Sequence, residues 1–205
     1  MNSNYKILNS ATLSGATALD RPTQVLPEKV ALSDPAINVV TDLSKVAAMT
    51  INPCASMDNA NERMIASNVR LLFVTDQYYQ VMGIVTSRDL SGQKAMNYLQ
   101  EHGGKREDII VRDIMTPRHN IEVLSMDDIK AARAGDIVET LKRMGRQHAL
   151  VMDKGEDGVD RIAGVISTTQ VAKQTGEDIS TADVAGSIAD LASREAGSRF
   201  RGAQV

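Results

Sequence analysis

"GIVTSRDL", residues 83–90, opens on a glycine, runs through two β-branched aliphatics and then sets a hydroxyl, Thr86, three residues before a carboxylate, Asp89. The same form returns as "GVISTTQV", residues 164–171, with Ser167 in place of Thr86 and Gln170 in place of Asp89. A short apolar run ending in a hydroxyl and an acid reads as a buried strand passing directly into a helix. The hydroxyl and the acid suit the free N–H groups and the positive end of the helix dipole.

Outward from this pair, the chain repeats itself. At an offset of 77 residues "LFVTD" (72–76) falls on "ALVMD" (149–153), and Ala60 and Met64 fall on Ile137 and Leu141. The match of "VMGIVT" (81–86) to "IAGVIS" (162–167) needs an offset of 81. The four extra residues belong to "KGEDGVD" (154–160), a Gly- and Asp-rich hairpin loop, where an insertion costs little. Each copy reads as a lead-in strand, a helix, two strands and a further helix. The lead-in strands are expected at "AAMTI" (47–51) and "IEVL" (121–124). The first helices are expected near 58–67, and after Asp136 with Glu139 as a capping box and Ile137, Leu141 and Met144 on one face. Strands follow at 71–75 and 81–85, then at 149–152 and 161–166. Their near-continuous apolar runs suit central positions in small sheets. The closing helices are expected over 88–101, with Met96 and Leu99 among its apolar positions and "HGG" as its stop, and over 168–175 before Gly176.

The 205 residues can bury a sizeable core. A net charge of -3, the absence of a basic run, no Trp and 3% aromatics argue against a nucleic-acid face or base-stacking platform. The longest apolar runs, such as "LLFV" (71–74), are strand-sized and far short of the roughly 20 residues of a membrane span. The N-terminus lacks the basic start and apolar core of a secretory signal. Cys54 stands alone and is expected as a small buried side chain, which points to a reducing compartment, the cytoplasm. The three histidines, 102, 119 and 148, have no metal-ligand spacing with it, and no nucleophile has a visible partner. No enzyme is expected.

Between the copies lies "VRDIMTP" (111–117), which resembles the opening segment of a CBS domain, the family named after cystathionine β-synthase. "RLLFVTD…MGIVTSRDL" is similar to the core and close of a first such domain, and "RQHALVMD…AGVISTTQVAKQTG" to those of a second. The resemblance covers about residues 37–176 and implies a tandem pair, a Bateman module. The implied fold is α+β, an α/β sandwich of two β-α-β-β-α repeats related by a pseudo-twofold axis. The expected organisation is an N-terminal arm (1–36), a first CBS domain (37–104), a second (105–176) and a C-terminal amphipathic helix and tail (177–205). "TDLSKVAAMTINP" (41–53) carries Met49-Thr50 without a clean "DIMTP", and "SMDDIKAARAGD" (125–136) is longer than the family's usual lead into the helix.

The resemblance also implies two clefts between the repeats for adenosyl ligands such as AMP, ADP, ATP or S-adenosylmethionine, with no cofactor required. The family's aspartate binds the ribose hydroxyls, a role carried here to Asp89, with Thr86 in support and Thr50 and Ile51 bordering the adenine. Arg118 is the preferred phosphate donor, with Arg88, Arg70, His119 and His148 nearby. Taken alone, "TSRD" is more often a helix cap than a ligand site, and both readings stand. Ser167, Thr168 and Gln170 make a second cleft that lacks the charged acceptor and is expected to be empty, weak or altered. His148 is expected as a partly buried structural histidine. Along the C-terminal stretch Val184, Ile188 and Leu191 form one narrow apolar stripe, suited to packing on the module or to a partner. The expected function is a non-catalytic, homodimeric sensor of adenine nucleotides acting on an unidentified protein. The alternative is an adaptor whose clefts are vestigial.

Overall fold

The structure, a computed structural model, describes residues 8–12, 15–18, 20 and 22–179. The expected C-terminal helix, with Val184, Ile188 and Leu191, lies outside the described residues. After a 3-10 turn at Ala36–Val39, the first half runs β1 (Thr41–Asp42), β2 (Thr50–Ile51), α1 (Met57–Ala66), β3 (Leu71–Thr75), β4 (Val81–Thr86), α2 (Ser87–Ser91) and α3 (Gln93–His102). The second runs α4 (Val111–Ile114), β5 (Thr116–Pro117), β6 (Val123–Ser125), α5 (Met126–Ala131), α6 (Ala134–Met144), β7 (His148–Lys154), β8 (Asp160–Ser167) and α7 (Thr168–Thr175). This is the expected α+β pattern, twice over.

Two four-stranded sheets result, in the orders β2-β3-β4-β5 and β1-β8-β7-β6. Each lead-in strand pairs in parallel with the first hairpin strand of its repeat, Thr50 with Phe73 and Val123 with Leu150. Alternation along the strands then divides the core. Leu72, Val74 and Val85 face the helices of the first half, and Ala149, Val151 and Ile166 those of the second. The alternate residues Leu71, Phe73, Ile84 and Leu150 meet in a third cluster, which forms the seam between the sheets. All five residues of β3 are therefore buried, as strands sandwiched on both faces must be.

The outermost strands are exchanged. Thr116-Pro117, from the segment between the repeats, pairs with Ile84 and Gly83 in the first sheet. Thr41-Asp42 pairs with Val165 and Gly164 in the second. The counterpart of "IMTP" is thus "VVTD" (39–42), and not the Met49-Thr50 stretch, whose Thr50 belongs to a lead-in strand. Packing follows this exchange across the sequence boundaries expected at 37 and 105. Val30, Ala36, Val39 and Val40 are buried in the core of the second half, and Ile109, Val111 and Ile114 in that of the first. Part of the N-terminal arm is accordingly ordered. The Val30 N–H donates to the Gln174 carbonyl, and the Ala134 and Gly135 N–H groups donate to Asp34 and Leu32. The long stretch before α6 folds as α5, capped by Ser125.

Several local expectations are corrected. The helix expected over 88–101 is two helices, because Gly92 is extended between them (φ -105°, ψ -162°); glycine carries the weakest preference for continuing a helix apart from proline. Met96 is 56% exposed, and Ala95 is the residue of α3 that is buried. Asp136 caps α6 by accepting from the Arg133 N–H at 2.8 Å, whereas Glu139 pairs with Lys142. Cys54 is exposed, on the loop before α1.

The opening glycines of the two quoted stretches now have a reason. A Cβ on Gly83 would collide with the Thr116 carbonyl oxygen, and one on Gly164 would stand 2.7 Å from a methyl of Val40 and 3.2 Å from the Thr41 carbonyl. Both collisions are with the exchanged strand. Gly83→Ala is expected to destabilise the fold by roughly 1–3 kcal/mol, the range of overpacking substitutions. Met96→Ala, at an exposed helical site, should stay within about 0.5 kcal/mol. Urea unfolding of the two variants beside the wild type measures both.

Candidate functional site

Strand β4 ends at Thr86, and α2 begins at once. The Thr86 N–H and Oγ1–H both donate to Asp89 Oδ2, each at 2.8 Å, and the Asp89 N–H returns toward Thr86 Oγ1 at 3.4 Å. This is a reciprocal cap of the kind the sequence motif allows. Asp108, Asp113 and Asp136 perform the same service for Lys105, Ile110 and Arg133, so an aspartate accepting from the N–H three residues earlier is a recurrent device in this chain. Asp89 differs from them in its surroundings. It is 9% exposed, and its other oxygen, Oδ1, takes the Lys94 ammonium at 2.7 Å.

Around this pair a cleft of about 500 Å3 opens between the repeats, within the usual range of small-ligand sites. Its apolar walls come from both halves: Ile84 and Met115 on one side, Ile121 and Leu150 on the other. Arg88, Lys94 and Arg146 line it with Asp89 and Glu122, three cations against two carboxylates. Arg146 faces Glu122 at 3.6 Å and the Asn120 carbonyl at 3.3 Å. The pseudo-twofold axis generates a second cleft of about 450 Å3, lined by Ser167, Thr169 and Gln170 with Thr41, Arg70 and apolar residues of both halves. Thr168, expected in this cleft, does not line it: it is buried, its N–H and Oγ1–H both donating to the Gln147 carbonyl.

Thr86, Arg88 and Asp89 are therefore brought together, and Ser167 and Gln170 occupy the corresponding places across the axis. Thr50, Ile51 and Arg118 do not join them. Thr50 and Arg118 line a separate opening of about 830 Å3 at the hairpin ends of the sheets, and Ile51 is buried against α1. The reason is the strand exchange: Thr116-Pro117, not the lead-in strand, flanks the Asp89 cleft. Lys94 and Arg146 escaped the sequence reading. Lys94 lies beyond a helix break that the pattern did not show. Arg146 has no signal in the repeat, since the offset of 77 sets it on Val69 and sets Arg70 on Gln147.

His148 belongs to both clefts. It sits on the seam face of β7, where the 77-residue offset puts Leu71 in the first half. Burial, and then the Arg70 charge, push its pKa down to about 4, against the opposing pull of Asp89. Its Nδ1 and the neighbouring Gln147 Oε1 are buried without a hydrogen-bond partner among the described residues.

Residues 40–93 match the family profile described as CBS domain. This chain contains a CBS domain. The match spans the lead-in strand, the hairpin and the Thr86–Asp89 cap, and the axis relates the second half to it. The whole has the fold of a CBS pair. It is similar to the CBS-domain-containing protein ATU1752 from Agrobacterium tumefaciens, with 23% identity, 70% of this chain and 94% of that one covered, and a TM-score of 0.50. The CBS-pair protein CBSX2 from Arabidopsis thaliana, in a structure with AMP, gives 23% identity, coverage of 68% and 94%, and a TM-score of 0.49. The CBS pair of MJ0100, in complex with 5'-methylthioadenosine and S-adenosyl-L-methionine, gives 14%, 70%, 94% and 0.46. No curated protein matches the sequence. No described helix is long and apolar enough to cross a membrane.

A histidine with a lowered folded pKa binds its proton later than the unfolded chain does as pH falls. The unfolded state then gains protons between pH 6.5 and about 4. The contribution of neutral His148 is fully present above pH 6.5 and is lost as pH falls through this window. Stability should drop there by up to about 3 kcal/mol from this group. Changing His148 to leucine, the residue at the related position, should flatten that part of the profile in urea unfolding between pH 4 and 7.

Proposed function

We propose that this chain is a regulatory module that binds an adenine nucleotide in the cleft at Asp89 and thereby alters its association with a separate protein. The observation that carries the reading is the composition of that cleft. Apolar walls from two repeats enclose a capped carboxylate on one side and three cationic side chains around it. A base wants flat apolar walls, a ribose diol wants a carboxylate acceptor, and a phosphate wants cations and charge-assisted hydrogen bonds. The match of residues 40–93 to the CBS domain, which includes Thr86 and Asp89, supports the same assignment. Under this reading the module works as a cytoplasmic homodimer, requires no cofactor and catalyses no reaction. Ligand acts by binding two shapes of the module with different affinity.

A second reading is favoured by a specific observation. Both oxygens of Asp89 already have protein partners, and Gln170 stands where the second cleft would need its carboxylate. An adaptor that has kept the fold and lost the ligand would look this way. The two readings separate in one experiment. Thermal unfolding and calorimetry are run on the wild type and Asp89→Ala with AMP, ADP, ATP, S-adenosylmethionine and GMP. For the sensor, one adenine ligand at about a hundred times its Kd stabilises the wild type by about 2.7 kcal/mol, which raises Tm by roughly 5–10 °C. Asp89→Ala, itself destabilised by roughly 1–2 kcal/mol through the lost cap, keeps its circular dichroism and loses the shift. Absence of any shift at millimolar ligand leaves the adaptor.

A further inference from the structure

Lys94 is the least expected member of the cleft. Its ammonium is held by three acceptors from three elements: Asp89 Oδ1 at 2.7 Å on α2, Thr116 Oγ1 at 2.9 Å on β5, and the Ile114 carbonyl at 3.3 Å on α4. A lysine has three N–H donors, so all are committed. Asp89 Oδ2 is committed in turn to the Thr86 N–H and hydroxyl. The carboxylate that would receive a ribose diol therefore carries a counter-ion, and three of its acceptor positions are in use. Oδ1 keeps one acceptor position beside the ammonium, so a diol that places both of its hydroxyls on Asp89 must displace Lys94 for the second.

Displacement has consequences that depend on the ligand. The Lys94 side chain is 46% exposed, and its flexible stem can carry the charge away from Asp89. A neutral nucleoside offers the ammonium no new partner, so the exchange trades an ion pair for a hydrogen bond from an uncharged hydroxyl. A phosphate offers it an anion, and Arg88 and Arg146 line the same space. A nucleoside whose tail bears a cationic sulfonium brings a positive charge toward three others. We infer that Lys94 sets the ligand class of the first cleft, admitting a phosphorylated nucleotide and rejecting the neutral nucleoside and the sulfonium nucleoside. The inference rests on the nucleotide reading of this cleft and names the class it takes.

The second repeat bears on this from within the chain. At the offset that sets Gln170 on Asp89, the residue on Lys94 is Thr175, whose hydroxyl donates to the Val171 carbonyl at 2.8 Å in its own helix. Acid and base are both present in one repeat and both absent from the other. A lysine serving only to tie α3 to β5 would have no reason to depart together with the aspartate.

The test is a calorimetric titration of AMP, adenosine and S-adenosylmethionine into the wild type, Lys94→Met and Lys94→Arg. The wild type should prefer AMP to adenosine by at least about tenfold. Lys94→Met should bring that ratio close to one, by weakening AMP and sparing or tightening adenosine, and should relieve the exclusion of S-adenosylmethionine. Lys94→Arg, which keeps the charge, should retain the preference for AMP. A purely structural lysine would shift all three affinities together and leave the ratios alone, so an unchanged AMP-to-adenosine ratio in Lys94→Met overturns the inference while the nucleotide reading stands. Failure of all three, and of ADP and ATP beside them, to bind the wild type overturns both.

Discussion

Everything in this molecule hangs on a close backbone crossing. Thr116-Pro117 lies against β4 at Gly83, where a β-carbon would strike the Thr116 carbonyl, and Thr41-Asp42 lies against β8 at Gly164, where one would strike the Val40 methyl and crowd the Thr41 carbonyl. The crossing hands one strand of each half to the other sheet. It brings the hydrophobic residues that flank those strands into the opposite core, Val39 and Val40 one way, Ile114 the other. Neither half can then bury its own apolar surface alone. The seam of Leu71, Phe73, Ile84 and Leu150 joins two units that are already interlocked.

The clefts are a consequence of that geometry. Where an exchanged strand passes a helix start, the capped residues of one half meet the loop before β7 or β3 of the other. At the first cleft this sets Thr86, Asp89 and Lys94 opposite Arg146 and His148. At the second it sets Ser167 and Gln170 opposite Arg70 and Leu71. Symmetry of backbone thus comes with asymmetry of charge. His148 lies on both, a neutral polar group on a seam otherwise built of aliphatic and aromatic side chains, and its low pKa ties the stability of the interlocked core to pH.

The dual character of Asp89 shows how one residue can serve structure and site at once. Its Oδ2 holds the start of α2 as three other aspartates hold theirs, and its Oδ1 looks into the cleft and meets Lys94. Removing the carboxylate therefore touches both stability and the cleft, which is why a ligand-dependent quantity, and not loss of stability alone, carries information about function.

Much of the fold was legible in the chain. The two-fold repetition of an apolar hairpin ending in a hydroxyl residue prescribed the strands, the helix starts at Thr86 and Ser167, and the stop at Gly176, because these depend on contacts a few residues apart. The pairing of Thr86 with Asp89 was equally local. Strand exchange was not legible, since two-residue strands such as Thr41-Asp42 and Thr116-Pro117 carry no periodicity, and their partners lie more than thirty residues away. For that reason Thr50, Ile51 and Arg118 were expected at a cleft from which the structure separates them. Lys94 and Arg146 were found by the tertiary structure alone. A charged side chain's partner is set by where the backbone carries it, and only the interlocked sheets decide which cations face Asp89.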